Sequence, residues 1–358
     1  MKIAIDVSQV VYGTGVSVYT KLLVESLLKL DDKNEYILFG GSLRRMNTLK
    51  DFFETLRGRF TSKIFPIPPT LANIIWNRLH TLPIEKLIGE VDVFHSSDWT
   101  QPPTKAFKVT TIHDLFPIKF PKLTHPKIVS ALLNRFKWVI READMVIVPS
   151  RTTKEDLAEF GIGERVVVIS EAPNPALRLP SKLEIERVKR KYQISGLYLL
   201  SIGVNPRKNT ERIISAFEKV RPGLDLKLII IGHPYMKIEP VRGVKILGHV
   251  PLSDLSGLYS GSEALVYPSL YEGFGLPILE AYKCETPVVT SNVGTMQELG
   301  QGAAILVDPT DVNSIAEGVK KAIKDRESLI KKGRERVEEF SWTKVAENTI
   351  KVYQKANQ

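Results

Sequence analysis

The sequence predicts an α/β chain of two doubly wound, Rossmann-like domains, and three observations carry that expectation. The chain has 358 residues, more than one hydrophobic core ordinarily organises. Short apolar, strand-like runs alternate with segments of helical period through both halves, the pattern of parallel sheets flanked by helices. A turn-rich stretch, Glu171-Ala172-Pro173-Asn174-Pro175-Ala176, separates the two series.

In the first half, 2–6 alternates into a short strand, 16–30 carries apolar residues at helical spacing, and 36–39 is strand-like again, a βαβ opening. Further strands are expected at 64–67, 91–95, 108–112, 145–148 and 166–169, with helices at 73–88, 126–142 and 152–160. This gives one domain over residues 1–172. A helix at 184–192 and a strand at 198–202 open the second series. Strands at 227–231, 244–247, 264–267, 288–290 and 304–307 then alternate with helices through residues 173–340. The amphipathic stretch 342–355 forms a terminal segment, 341–358.

Composition narrows the function. Apolar residues make up 43% and charged residues 25%, an ordinary globular balance. No run of about eighteen apolar residues occurs, and Asp6 interrupts the opening stretch too early for a secretory signal. The expected location is the cytoplasm. A single cysteine, Cys284, excludes an internal disulfide framework and a cysteine-based zinc site, and its apolar helical setting points to packing. The formal charge of +10 suits nucleic acid, anionic lipid or phosphorylated substrates, so its distribution decides. Between 102 and 141, Lys105, Lys108, Lys119, Lys122, Lys127, Arg135, Lys137 and Arg141 face one acid, Asp114, with Phe107, Phe116, Phe120, Phe136 and Trp138 interleaved. Such a segment suits the inner face of an anionic membrane, and a solvated helix face is the alternative.

The stretch Tyr271-Glu272-Gly273-Phe274-Gly275-Leu276-Pro277-Ile278-Leu279-Glu280-Ala281 follows an apolar strand. Gly273 and Gly275 permit backbone conformations and close ligand approach that a side chain would forbid. Pro277 suits a helix start, so free N–H groups around Leu276 to Leu279 would favour an anion such as a diphosphate. Glu280, expected in the first turn, and Glu272, in the loop before it, can accept hydrogen bonds from vicinal hydroxyls of a sugar or ribose. The plainer reading is a surface helix whose acids complement the macrodipole, which leaves the two glycines unexplained.

These residues resemble the retaining glycosyltransferases of family 4, which have the GT-B fold and a signature of two glutamates separated by seven residues. Glu272 and Glu280 have that spacing, and Pro268-Ser269-Leu270 and Thr286-Pro287-Val288-Val289-Thr290-Ser291 extend the likeness. The resemblance implies two facing Rossmann-like domains, acceptor-binding first and nucleotide-sugar-binding second, with a C-terminal crossover helix packed back on the first.

The remaining candidates lie at strand ends. Arg207 and Lys208, in Asn205-Pro206-Arg207-Lys208-Asn209, follow the strand at 198–202 and can neutralise a diphosphate while charge builds on a leaving group. The family carries its phosphate-binding Arg and Lys in a similar stretch. Gly13 and Gly15 flank Thr14 before the first helix, a second potential phosphate cradle. Val18 stands where the dinucleotide fingerprint needs glycine, which argues against a dehydrogenase. His113, beside Asp114 at a strand end, matches a histidine that similar members place next to the transferring sugar, and His95 is a weaker candidate on the acceptor side. The family often holds the nucleotide base by backbone groups in the position of Leu247-Gly248-His249-Val250. No histidine and carboxylate spacing suggests a metal, and no cofactor is expected apart from the donor.

The expected enzyme transfers a hexose from a nucleoside-diphosphate sugar to a glycan or lipid-linked acceptor. GDP-mannose is favoured because the motifs look like those of mannosyltransferases building surface polysaccharides, and UDP-sugars stay open. The rivals are a sugar-nucleotide epimerase or phosphorylase of the same fold, and a module binding lipid or another polyanion. Nucleic acid is not an expected partner. Two departures from the family pattern stand out: Glu285 replaces a usual glycine, and the residues from Glu171 to Pro175 replace an Asn-Gly pair.

Overall fold

The structure, a computed structural model, describes residues 1–223 and 225–358. It divides into two compact units, residues 1–171 with 342–358, and residues 172–341. The first is built on strands β1 (Lys2–Asp6), β2 (Glu35–Gly41), β3 (Phe60–Phe65), β4 (Val93–Ser96), β5 (Phe107–Thr111), β6 (Met145–Val148) and β7 (Val166–Val168). Their order is β3-β2-β1-β4-β5-β6-β7, with every pairing parallel. The second carries β8 (Leu197–Val204), β9 (Leu226–Pro234), β10 (Val244–Ile246), β11 (Ala264–Tyr267), β12 (Val288–Ser291) and β13 (Ile305–Val307), ordered β10-β9-β8-β11-β12-β13. These strands too pair in parallel.

Strands such as β6 and β11 are buried along their whole length, as expected of parallel sheets covered on both faces and rich in β-branched residues. The second unit therefore has a core on each face of its sheet, one around Tyr198, Tyr259 and Tyr282, the other around Phe217, Ile230 and Val319. In each sheet the winding direction reverses once, between β1 and β4 and between β8 and β11. Loops leaving the carboxyl ends of those strands diverge there and open a crevice in which ligands of such sheets bind.

Two expectations are corrected. The helix at 73–88 is broken: a short helix Pro69–Ala72 runs into a π-helical turn, Asn73–Arg78, and a further turn, Glu85–Ile88, follows a loop. Pro83 disfavours helical geometry at the residue before it, and Leu82 and His80 adopt φ of 59° and 52°. His80 is held there by stacking on Trp138, 3.7 Å between ring centroids, and by a 2.8 Å contact with Glu142. The strand at 64–67 starts earlier and stops at Phe65, because Pro66 has no N–H for the ladder.

The helix Trp342–Tyr353 belongs to the first unit. Trp342 lies against Tyr19 of the helix Gly15–Leu30, with ring centroids 5.7 Å apart, and the Tyr353 hydroxyl meets His95 at 2.7 Å. Among the described residues, no helix is long and apolar enough to cross a membrane.

Candidate active site

In the second unit, the crevice between β8 and β11 collects the cations and one acid of the motifs. Gly203, near the end of β8, has φ of 96°, and a Cβ there would lie 2.6 Å from Lys208 Cγ. Only glycine lets the lysine stem fold back across the strand end. Asn205 accepts from the Lys208 amide at 3.0 Å. Asn209, with φ of 64°, donates to the carbonyls of Pro268 at 3.0 Å and Pro309 at 2.6 Å. Leu270 N–H donates to the Arg207 carbonyl at 2.9 Å, so the loops after β8 and β11 are tied together.

Lys208 Nζ contacts Glu272 Oε1 at 2.6 Å, donates to the Tyr267 hydroxyl, and sits 4.7 Å from the Tyr267 ring centroid. Arg207 Nη2 is 3.8 Å from Glu272 Oε2. Burial alone would raise the Glu272 pKa, yet the charges of Lys208 and Arg207 and the Lys208 hydrogen bond outweigh it, leaving the carboxyl below its usual range. The two cations and the one carboxylate carry a net charge of +1, which favours an anion.

Gly275 caps the next helix, Leu276–Lys283, with φ of 108°, a conformation that glycine adopts without strain. Pro277 is the second helical residue, where its missing N–H costs no internal bond. Glu280 is the fifth, so it lies in the second turn and not the first as expected. It accepts from the Tyr259 hydroxyl at 2.8 Å, and burial holds its pKa above the ordinary value, partly opposed by that bond. The two glutamates of the motif thus have opposite electrostatics. The Glu272 and Gly273 carbonyls accept from Thr295 Oγ1 at 3.1 and 3.3 Å, and Phe274 packs edge-on against Phe340.

In the first unit, His113 follows β5. Its Nδ1 donates to Glu171 Oε1 at 3.0 Å, the Tyr19 ring stands edge-on at 4.6 Å, and Nε2 has no hydrogen-bond partner among the described residues. Burial opposes the imidazolium, but the Glu171 hydrogen bond and the charges of Glu171, Asp98 and Asp114 raise the pKa above its ordinary value. His113 lines a cavity of about 170 Å³ with Asp98, Trp99 and Arg135. Gly13, with φ of 67°, and Gly15 flank the Thr14 cap of the first long helix, and an added Cβ at either would meet nothing within 4 Å.

Residues 13–175 match the family described as Glycosyltransferase Family 4, and residues 184–338 match Glycosyl transferases group 1. The chain is 30% identical over 281 residues to O-antigen chain mannosyltransferase B of Escherichia coli, covering 73% of this chain and 74% of that one. The chain belongs to glycosyltransferase family 4. Solved structures agree on the fold: sucrose-phosphate synthase from Thermosynechococcus elongatus superposes with a TM-score of 0.73 at 18% identity, over 99% of this chain and 98% of that one. The Anabaena protein HepE in complex with UDP-glucose gives 0.70 at 16%, over 99% and 100%. The protein is a glycosyltransferase with two Rossmann-like parallel-sheet domains of GT-B type.

Within this family member the structure joins Arg207, Lys208 and Glu272 directly, and it places Gly273, Phe274, Gly275 and Leu276 on the same loop and helix start. Val250 is buried in the core, which leaves only its backbone for ligand contact. His113 stands at the strand end with Asp114 beside it; Asp114 accepts from the Phe116 amide at 3.0 Å, and His113 Nδ1 meets Glu171. The expectation for His95 is corrected. It is buried with Nδ1 on Tyr353 and Nε2 on Thr111, and burial, helped by nearby His113 and Arg135, pushes its pKa down to about 3.

The basic segment is also less free than its composition suggests. Arg135 is 3% exposed and faces Asp98 at 3.7 Å, Lys108 pairs with Glu142 at 2.6 Å, and Lys119 contacts Asp156. Cys284 is buried and its thiol is pushed up to about 12 by burial, which keeps it protonated. Tyr259, Tyr267, Asn209 and Glu171 were missed by sequence reasoning. Asn209, closing the loop that carries the cations, and Glu171, opening the junction that departs from the family pattern, lay inside stretches that could have flagged them.

Proposed function

We propose that this glycosyltransferase is a retaining hexosyltransferase that takes mannose from GDP-mannose and passes it to a hydroxyl of a glycan or lipid-linked acceptor in surface polysaccharide or glycolipid synthesis. The observation that carries the reading is the Arg207, Lys208 and Glu272 cluster at the crevice between β8 and β11. Arg207, Lys208 and the helix start at Leu276 meet the charge of the departing diphosphate, so the reading needs no metal. Glu272, kept ionised, orients the donor sugar through its hydroxyls. Glu280 holds the ribose, and the backbone near Val250 faces the base. His113 hydrogen-bonds the transferring sugar through Nε2, and the Gly13 and Gly15 loop supplies further donor contacts.

In the step itself, the bond from the anomeric carbon to the phosphate oxygen breaks as the acceptor oxygen bonds to the same face. The acceptor proton passes to the leaving phosphate. The likeness to the Escherichia coli mannosyltransferase supports mannose. The exposed bases Lys122, Lys127, Lys137 and Arg141 support work at the inner face of a membrane from the cytoplasm.

Labelled transfer from GDP-mannose, UDP-glucose and UDP-N-acetylglucosamine, with the product anomer assigned by NMR, tests the reading. Transfer from GDP-mannose with retention is expected. Donor conversion without an acceptor would identify an epimerase instead, and an inverted product would remove the same-face step.

A further inference from the structure

The first unit holds two cavities that share one side chain. The smaller, of about 170 Å³, is lined by His113, Asp98 and Arg135. The larger, of about 560 Å³, has walls that include Tyr12, Ile67, Ala72, Ile74 and Trp76. Trp99 lines both, with its ring 41% exposed while its carbonyl is fixed by Asn77 at 2.9 Å.

Their sizes and chemistry differ. The smaller lies below the roughly 300 to 1,000 Å³ of sites for larger organic ligands and has room for about one ring, with the Asp98 carboxylate in its wall beside the His113 assigned to the transferring sugar. The larger falls within that range, and its wall is chiefly apolar and aromatic. Hydroxyl and amide side chains such as Ser8, Gln9, Asn73 and Thr100 also line it, and the apolar part of the wall is what a hydrocarbon would cover. The two cations that line it, Arg78 and Lys127, are exposed and make no ion pair among the described residues. Apolar walls with two available positive charges complement a hydrocarbon joined to an anionic group.

We propose that the larger cavity takes the hydrocarbon chain of a lipid-linked acceptor, whose anionic linkage pairs with Arg78 and Lys127, while the smaller cavity takes the acceptor's sugar ring and Trp99 lies against the junction. This rests on the reading that the first unit binds the acceptor. It narrows that acceptor to a saccharide carried on a phosphorylated lipid, and each buried methylene of the chain adds about fourfold in affinity.

Binding of decyl phosphate below its micellar concentration, followed by tryptophan fluorescence of the full chain, tests the cavity without any turnover. Decyl phosphate should bind at least tenfold more tightly than inorganic phosphate and than neutral decyl maltoside. Ala131→Trp, which narrows the cavity from a lining position, should weaken decyl phosphate at least tenfold. Ile74→Trp, at a side chain 43% exposed, does the same with little risk to folding.

Both variants should leave kcat/KM for a soluble, chain-free acceptor within twofold while raising KM for the chain-bearing one. Equal binding of decyl phosphate and inorganic phosphate, or indifference to both variants, would overturn the proposal. Normal decyl phosphate binding without transfer from any donor would instead fault the function proposed above and leave the cavity assignment standing.

Discussion

The two units share a sheet architecture and differ in how they assemble polar chemistry. In the second, the ends of neighbouring strands and the loops after them bring Arg207, Lys208, Glu272 and Tyr267 together, and the Asn209 side-chain amide and the Leu270 backbone amide fix them. In the first, His113, Glu171, Asp98 and Arg135 come from widely separated places and meet beside a cavity. A diphosphate presents much the same charge whatever sugar it carries, so a compact local device can grip it. An acceptor is met by the shape of a cavity, which few short motifs specify.

The largest effect should come from breaking the compact device. Lys208→Ala removes the cation from a buried carboxylate and from the proposed leaving group. We expect kcat/KM to fall by about 10² to 10³ and the thermal shift with GDP to vanish. A change under about threefold would break the comparison, because the second unit's cluster would then be decorative. Its Glu272 adds a pH signature. With its pKa lowered in the fold, the stability it contributes is present above the ordinary carboxylate value and is lost as pH falls through the folded value. Lys208→Ala should flatten that acid limb in denaturation measured against pH.

On the other side, His113→Ala should lower kcat by about 10-fold or more while donor affinity stays nearly constant, as for a group acting mainly in the transition state. Glu171→Gln sharpens the point through pH. Because the His113 pKa is raised above 6.5, the pairing adds stability that is complete in acid and fades as pH rises through the folded value. The variant should therefore lose more melting temperature at about pH 5.5 than at about pH 9. Equal losses at both would show that Glu171 serves packing alone.

Glu280→Gln is expected to change least. Its raised pKa and its acceptance from Tyr259 are compatible with a neutral amide, so stability measured by urea should shift by under about 1 kcal/mol. A loss of nucleotide affinity without loss of stability would support its contact with the ribose.

The alternation of elements and the cation and glutamate motifs could be read in the sequence because each is local. Period and turn chemistry act within a few residues, and the residues of each loop are contiguous. The departure at Glu285 is not local in this way: it takes φ of 54°, where glycine would be unstrained, and its carboxylate reaches Arg334, 49 residues on, at 2.5 Å. What could not be read depends on chain separation. Glu171 reaches His113 across 58 residues and Tyr353 reaches His95 across 258, and no spacing rule encodes either. The break between 73 and 88 was hidden because its apolar residues keep helical period while Pro83 and the stacking of His80 on Trp138 decide the backbone. The membrane reading of the basic segment counted charges without seeing that Arg135 and Lys108 are spent on internal partners.

The helix Trp342–Tyr353 has a further consequence for biosynthesis. It covers Tyr19 and closes the bond to His95, so the first unit lacks part of its own interior until residues 172–341 have left the ribosome. The nascent first unit must wait, with an uncovered apolar flank, while the second is made and folds, so stalling or truncation just short of Trp342 exposes the unit synthesised earliest.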